Sequence, residues 1–280
     1  MQRAANVSHS CVIARTGRVD APAAILSDAM YVNTALQKMR EGKPAFGYSC
    51  AMGSAIAAEA LARTGIDFLL IETQHGSWGH DSAIAAFMGI AGGTAVPMAR
   101  VPQNEYYLIG KLLDNGCMGI IIPMVDTAAD AKQAADACRL PPQGNRSWGM
   151  GPARALGDDY LLWADEQVFV AVQIESGAAV ENAEAIMATS GVDGCWIGPN
   201  DLGLSMGIHP RDIPTSDVHA RALEKVKQAC QNTGKILGLS CSGPEEAAQR
   251  AKDGYRFLTA GSDAQLMLGA AKAGMTVMGF

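Results

Sequence analysis

Short runs of apolar and β-branched residues alternate along this chain with longer, Ala-rich segments whose apolar positions recur at helical spacing. The runs predict strands at Ala45–Ala51, Asp67–Thr73, Ala95–Val101, Met118–Val125, Val168–Ser176, Gly194–Pro199, Lys235–Ser240 and Arg256–Gly261. Between them the helical spacing predicts Ser54–Thr64, Ser82–Ile90, Asn104–Asp114, Thr127–Arg139, Ala178–Ala188, Asp217–Asn232 and Glu245–Lys252. Gly65, Gly116, Gly234 and Gly254 stand where left-handed C-caps would end helices. Strands apolar nearly throughout, each followed by a crossover helix, predict a parallel sheet covered by helices. Eight such units favour a closed (β/α)₈ TIM barrel over an open doubly wound sheet. The barrel is expected over residues 31–280, with an opening helix at about Asn33–Glu41 plugging its floor, and residues 1–30 as an N-terminal extension outside it.

Bulk composition narrows the function classes. A chain of 280 residues, 49% hydrophobic and 18% charged, suits one compact enzyme domain. A formal charge of −6 without a basic stripe argues against a nucleic-acid partner, and no apolar run has the length of a membrane span. The cysteines (Cys11, Cys50, Cys117, Cys138, Cys195, Cys230, Cys241) are scattered and odd in number. They read as reduced thiols of a cytoplasmic protein rather than a disulfide scaffold. Arg3, Arg15 and Arg18 precede no continuous apolar h-region, so no secretory signal is expected.

In a (β/α)₈ barrel the active site lies at the C-terminal ends of the strands and in the loops that follow. Ionisable residues collect at those predicted ends. Strand two runs into Glu72-Thr73-Gln74-His75-Gly76, strand three ends at Arg100, strand five at Gln173-Ile174-Glu175-Ser176, and strand six at Gly198-Pro199-Asn200-Asp201. Strand alternation points Gln173 and Glu175 the same way. If that way is inward, Glu175 and Asp201 can share one divalent cation, and all-oxygen ligation suits Mg²⁺ or Mn²⁺. The competing reading makes each an acidic residue favoured at a helix N-terminus. Glu72 is placed to orient the His75 imidazole, and an unpaired Arg100 on an inner strand would call for an anionic ligand. The segment Pro141–Glu166 breaks the alternation and reads as a long active-site loop after strand four. No lysine falls inside a predicted strand except Lys235, at the wrong end of its own, which disfavours a Schiff-base mechanism.

Five stretches in order carry a resemblance: Glu72–Gly76, Pro123-Met124-Val125-Asp126-Thr127, Pro141-Pro142-Gln143-Gly144-Asn145-Arg146, Gln173–Ser176 and Ile197-Gly198-Pro199-Asn200-Asp201-Leu202. From about Asn33 onward the chain resembles the class II, metal-dependent pyruvate aldolases of the 4-hydroxy-2-oxoheptanedioate and 2-dehydro-3-deoxyglucarate aldolase type, which are related to macrophomate synthase. The resemblance implies a barrel of the phosphoenolpyruvate/pyruvate-binding type. It also implies Glu175 and Asp201 as ligands of Mg²⁺ or Mn²⁺, with Co²⁺ a further candidate. Arg100 would stabilise the pyruvate enolate, and His75 with Glu72 would transfer protons. Gln173 would contact the pyruvate oxygens, backbone amides around Gly198–Asn200 would bind its carboxylate, and the Arg146–Arg154 loop would shape the pocket for an aldehyde. Two departures stand out: Glu72 replaces the usual aspartate, and Asn200 replaces a common alanine. Trp78 and Trp148 are candidates either for narrowing the aldehyde site or for packing under loops.

The expected reaction is cleavage or formation of a 4-hydroxy-2-keto acid from pyruvate and an aldehyde. Its rivals are oxaloacetate decarboxylation through the same enolate, a CoA-ester lyase related to citrate lyase β subunits, and a catalytically inactive binding protein. The apolar residues of 264–280, Leu266, Met267, Leu268, Met275, Val277, Met278 and Phe280, call for a covering surface. Their own barrel could supply it. The resemblance implies instead a homo-oligomer, a hexamer with exchanged C-terminal helices.

Overall fold

Apolar β-branched runs too short to cover themselves close into a ring in this protein. The computed structural model describes residues 31–149, 151–156 and 160–280. The N-terminal extension and Cys11 lie outside them, as does the side chain of Arg154. Eight parallel strands form a closed barrel in chain order: β1 (Ala45–Cys50), β2 (Phe68–Glu72), β3 (Val96–Arg100), β4 (Gly119–Ile122), β5 (Phe169–Ile174), β6 (Gly194–Ile197), β7 (Gly238–Ser240) and β8 (Phe257–Ser262). Strands β2 to β6 are buried on both faces, as a helix-jacketed parallel sheet requires.

The helices are α1 (Thr34–Arg40), α2 (Ala55–Ala62), α3 (His80–Ala91), α4 (Tyr106–Asp114), α5 (Ala128–Cys138), α6 (Tyr160–Gln167), α7 (Gly177–Glu181), α8 (Ala183–Met187), α9 (Pro199–Ser205), α10 (Asp217–Thr233), α11 (Pro244–Lys252) and α12 (Asp263–Met278). The helix expected over 178–188 is broken at Asn182, which ends α7 and begins α8 while its side-chain amide donates to the Asp126 carbonyl.

The floor of the barrel is solid. Asn33, the N-cap of α1, donates to the carbonyls of Met118 and Gln167, which precede β4 and β5. Above it the buried rings of Phe68 and Phe169 pack on Phe257, with centroids 4.7 and 4.9 Å away. Gly47 makes room for this plug, because a Cβ there would stand 2.3 Å from the Phe68 ring. Any ligand therefore enters at the opposite end.

One expectation needs correction. The segment Pro141–Glu166 follows α5, not β4, so it lies on the floor side of the barrel, away from the mouth. There Arg139 ties the carbonyls of Asp165, Val168 and Gly191 to the Asp193 carboxylate. The tail has two readings, cover by its own barrel or by another subunit. In α12 only Asp263 is buried, its carboxylate accepting from the amides of Ala51 and Met52, and the apolar residues beyond are exposed (Phe280 is 86% exposed). The chain's own barrel does not cover them. Among the described residues no helix is long and apolar enough to cross a membrane.

Candidate active site

Strand register brings the first pair together. Glu72 and Arg100 are partners across β2 and β3, so their side chains emerge side by side at the same end of the barrel. Both are buried. Arg100 Nε and Nη2 lie 2.7 and 2.6 Å from Glu72 Oε2, and Arg100 Nη1 donates to Gln173 Oε1 at 3.2 Å. The guanidinium covers the Trp196 ring, 5.3 Å from its centroid. Held by a carboxylate, an amide and an aromatic face, this cation has one orientation.

The expected Glu72–His75 dyad is not formed. Glu72 Oε1 accepts instead from the backbone amides of Gln74 and His75, at 3.0 and 3.1 Å, and Oε2 is taken by Arg100. Glutamate reaches both because of its extra methylene, so Glu72 fixes the turn and the guanidinium, and the His75 side chain is exposed on that turn. Arg100 is correspondingly not the unpaired cation the sequence suggested.

Glu175 stands just beyond β5. It is buried, with Oε1 accepting from the Met124 amide at 2.8 Å and Oε2 from the Gln173 side-chain amide. Met124 holds a left-handed backbone conformation, φ 55°, that aims this amide. The Pro123–Thr127 stretch thus serves through its main chain, while Asp126 accepts from the Ser176 hydroxyl and Thr127 caps α5. Burial pushes the Glu175 carboxyl above its ordinary value; the Met124 bond opposes this, Asp201 raises it further, Arg100 lowers it and Asp126 raises it. Asp201 is exposed in the first turn of α9.

Gly198 and Asn200 also need restating. Gly198 spends its amide on the Ile174 carbonyl, and Pro199 has no N–H. Its contribution is space, because a Cβ would stand 2.7 Å from Gln173 Nε2 and 3.2 Å from Glu175 Oε2. Asn200 is exposed at the rim of a cavity of about 960 Å³ that also reaches Ser49, Glu72, Arg100, Trp196 and Thr259.

Arg146 lies elsewhere. It is 1% exposed, bonded to Asp114 Oδ1 at 2.8 Å and the Tyr160 hydroxyl at 3.1 Å, beneath the Trp148–Tyr160 stack on the floor side. Trp78, by contrast, donates to the Cys50 carbonyl at the mouth end of β1. Arg146→Ala is expected to cost about 2–3 kcal/mol of stability, by leaving Asp114 without its cation, with kcat unchanged. Urea unfolding alongside steady-state kinetics would check both halves.

Trp196 and Met124 escaped sequence reasoning. Trp196 stands beside the site because it is register partner to Gln173, a pairing that the sequence of β6 does not show. Met124 acts by main chain alone, which no side-chain signal reveals.

Two buried carboxyl-bearing strand ends, one charge-paired and one in excess negative charge, surround a mouth lined by a fixed guanidinium. The HpcH/HpaI aldolase/citrate lyase family profile matches residues 50–270. The chain belongs to this family. It is 32% identical over 251 residues to a hydroxypyruvate/pyruvate aldolase of Roseobacter denitrificans, covering 86% of this chain and 95% of that one. A 5-keto-4-deoxy-D-glucarate aldolase of Klebsiella pneumoniae is 30% identical over 241 residues, 85% of this chain and 93% of that protein. A crystal structure of a family protein from Burkholderia cenocepacia superposes with a TM-score of 0.83 at 33% identity, covering 88% of this chain and 99% of that one. Family members so named are carbon–carbon lyases, and the (β/α)₈ barrel is the shared fold.

Proposed function

We propose that this protein is a metal-dependent aldolase that cleaves or forms a 4-hydroxy-2-keto acid through the enolate of pyruvate. The observation that carries the reading is the Arg100 guanidinium, locked by Glu72 and Gln173 beside the buried Glu175 carboxylate. The residues fit a hard divalent cation. The donors are carboxylate oxygens, and Asp201 and Asp126 add negative charge around Glu175 that the Met124 amide and Arg100 oppose. Glu175 and Asp201 would hold the ion, Mg²⁺ or Mn²⁺. Two protein carboxylates on one such ion would leave its other coordination positions to water and substrate.

When bound, the cation supplies Lewis acidity toward the keto and carboxylate oxygens of the substrate. The chain's own groups do the rest. Arg100 presents fixed positive charge to the keto oxygen, where negative charge grows as the C3–C4 bond breaks. Gln173, whose carboxamide spans Arg100 and Glu175, keeps the two in register. His75 sits on the adjoining turn, with an imidazole nitrogen that can serve as the base. It takes the proton of the 4-hydroxyl, the aldehyde departs, and the same proton returned to C3 of the enolate gives pyruvate and restores the neutral imidazole. None of the eight strands carries a lysine, which speaks against an imine formed on a strand lysine.

The exposed apolar residues of α12 support a homo-oligomer in which a second copy covers them. The free, buried thiols of Cys50, Cys117, Cys138, Cys195, Cys230 and Cys241 support a cytoplasmic setting.

Exchange of the pyruvate methyl protons in D₂O, followed by NMR, tests the reading without knowledge of the aldehyde. The metal-stripped protein is expected to be inert, and added Mg²⁺ or Mn²⁺ to start exchange. No exchange with any divalent ion would refute pyruvate enolisation. Oxaloacetate supplied alone, with CO₂ followed, separates a decarboxylase from an aldolase.

A further inference from the structure

The loop from β6 into α9 carries Gly198, Asn200 and Asp201, yet it belongs to a seven-residue helix too short to hold itself in place. What braces it comes from α10. His219, 3% exposed, places its ring Nε2 3.1 Å from the carbonyl oxygen of Pro199. A carbonyl only accepts, so the ring nitrogen is the donor and carries the proton. Burial holds the imidazole toward its neutral form, the bond to Pro199 opposes this, and Arg250 adds to the effect of burial. His219 is itself fixed, since its backbone amide donates to Ser216 Oγ at the start of α10. The far side of α9 rests on the turn Pro210–Thr215. There Gly203 meets Ile213 so closely that a Cβ would stand 2.7 Å from Ile213 Cδ1. The C-terminal end of α9 is tied as well, Ser205 Oγ accepting from the Gly177 amide, so the His219 bond is the one that fixes its N-terminal turn from α10. The bond is made two residues before Asp201.

We infer that His219 is a positioning residue for the aldolase site: its Nε2–H bond to Pro199 sets the β6–α9 loop, and with it Asp201, at the geometry that ion and keto acid require. This rests on the proposed role of Asp201 and extends it to a residue of another element, which acts on the loop through the Pro199 carbonyl. Groups that hold a ligand-bearing segment in place change its metal affinity or activity by about 10–100-fold when removed.

The test compares His219→Leu, which keeps bulk and drops the donor, with His219→Gln, whose side-chain amide can place an N–H near the Nε2 position. Three readouts are needed: pyruvate-exchange kinetics, Mn²⁺ binding to the metal-stripped protein by calorimetry, and backbone amide exchange at residues 200–202. His219→Leu is expected to raise the pyruvate KM about tenfold, to weaken Mn²⁺ about tenfold and to leave kcat within about threefold. Amide exchange at 200–202 should speed up while the barrel strands stay protected. His219→Gln should recover most of each loss. The inference is overturned if His219→Leu matches wild type in Mn²⁺ binding and amide exchange, or if His219→Gln is as impaired as His219→Leu, which would make the role one of bulk. Should the leucine variant fail to fold, His219→Ala takes its place. If the wild-type protein exchanges no pyruvate protons, the aldolase reading has failed. The Mn²⁺ and amide-exchange arms would still decide for or against His219.

Discussion

Arg100→Ala is expected to lower kcat/KM by about 10³-fold, roughly 4 kcal/mol of transition-state stabilisation, the scale seen when a fixed donor to a developing oxyanion is removed. The loss should fall mainly on kcat, because the guanidinium acts on charge that grows during bond breaking. Three anchors make the effect large: Glu72, Gln173 and the Trp196 face already orient Arg100, so little reorganisation accompanies the reaction. Arg100→Lys should recover little. An ammonium cannot bridge Glu72 and Gln173 as a planar fork does. Steady-state kinetics of aldol cleavage and pyruvate exchange measure both variants, with circular dichroism to show that unpairing the buried Glu72 has not unfolded the barrel. Near-wild-type kcat for Arg100→Ala would end the proposed scheme.

Glu175→Ala is expected to abolish measurable turnover and to weaken Mn²⁺ binding by at least about 10²-fold, since it removes the one buried carboxylate of the proposed ion site. Calorimetric titration of the metal-stripped variant reads this directly. Glu175→Gln is no gentler at the residue level. With Oε1 kept toward the Met124 amide, its new N–H group would face the Gln173 side-chain amide. Flipping Gln173 to relieve that conflict would take its acceptor away from Arg100. The two variants therefore share a loss of ion affinity and differ in Arg100 order. Undiminished Mn²⁺ affinity in Glu175→Ala would move the ion elsewhere and leave Glu175 a structural acid.

Patterns of period two and period three to four are local, and what depends on them was readable. The strand positions matched to within a few residues. Gly65, Gly116, Gly234 and Gly254 all take the positive φ that a left-handed helix end requires. Alternation alone put Gln173 and Glu175 on one face, and both are buried at the mouth. Where reading failed, the missing quantity was long-range. Glu72 lies three residues from His75 in the chain but meets Arg100, because the β2–β3 register sets them abreast. By length alone the segment Pro141–Glu166 reads as a loop of the mouth. Its place after α5 and not after β4 puts it on the floor, where Arg146 serves Asp114.

Sequence by itself determined the eightfold βα alternation, the family resemblance, and which strand ends carry carboxylates and a guanidinium. Only the tertiary structure decided who partners whom. It gave Glu72 to Arg100, the Met124 main chain to Glu175, Trp196 to the underside of the guanidinium and His219 to Pro199. The reason is physical: periodicity is set by neighbouring residues, whereas a hydrogen bond between strands or across helices depends on barrel closure and register, which the whole chain fixes together.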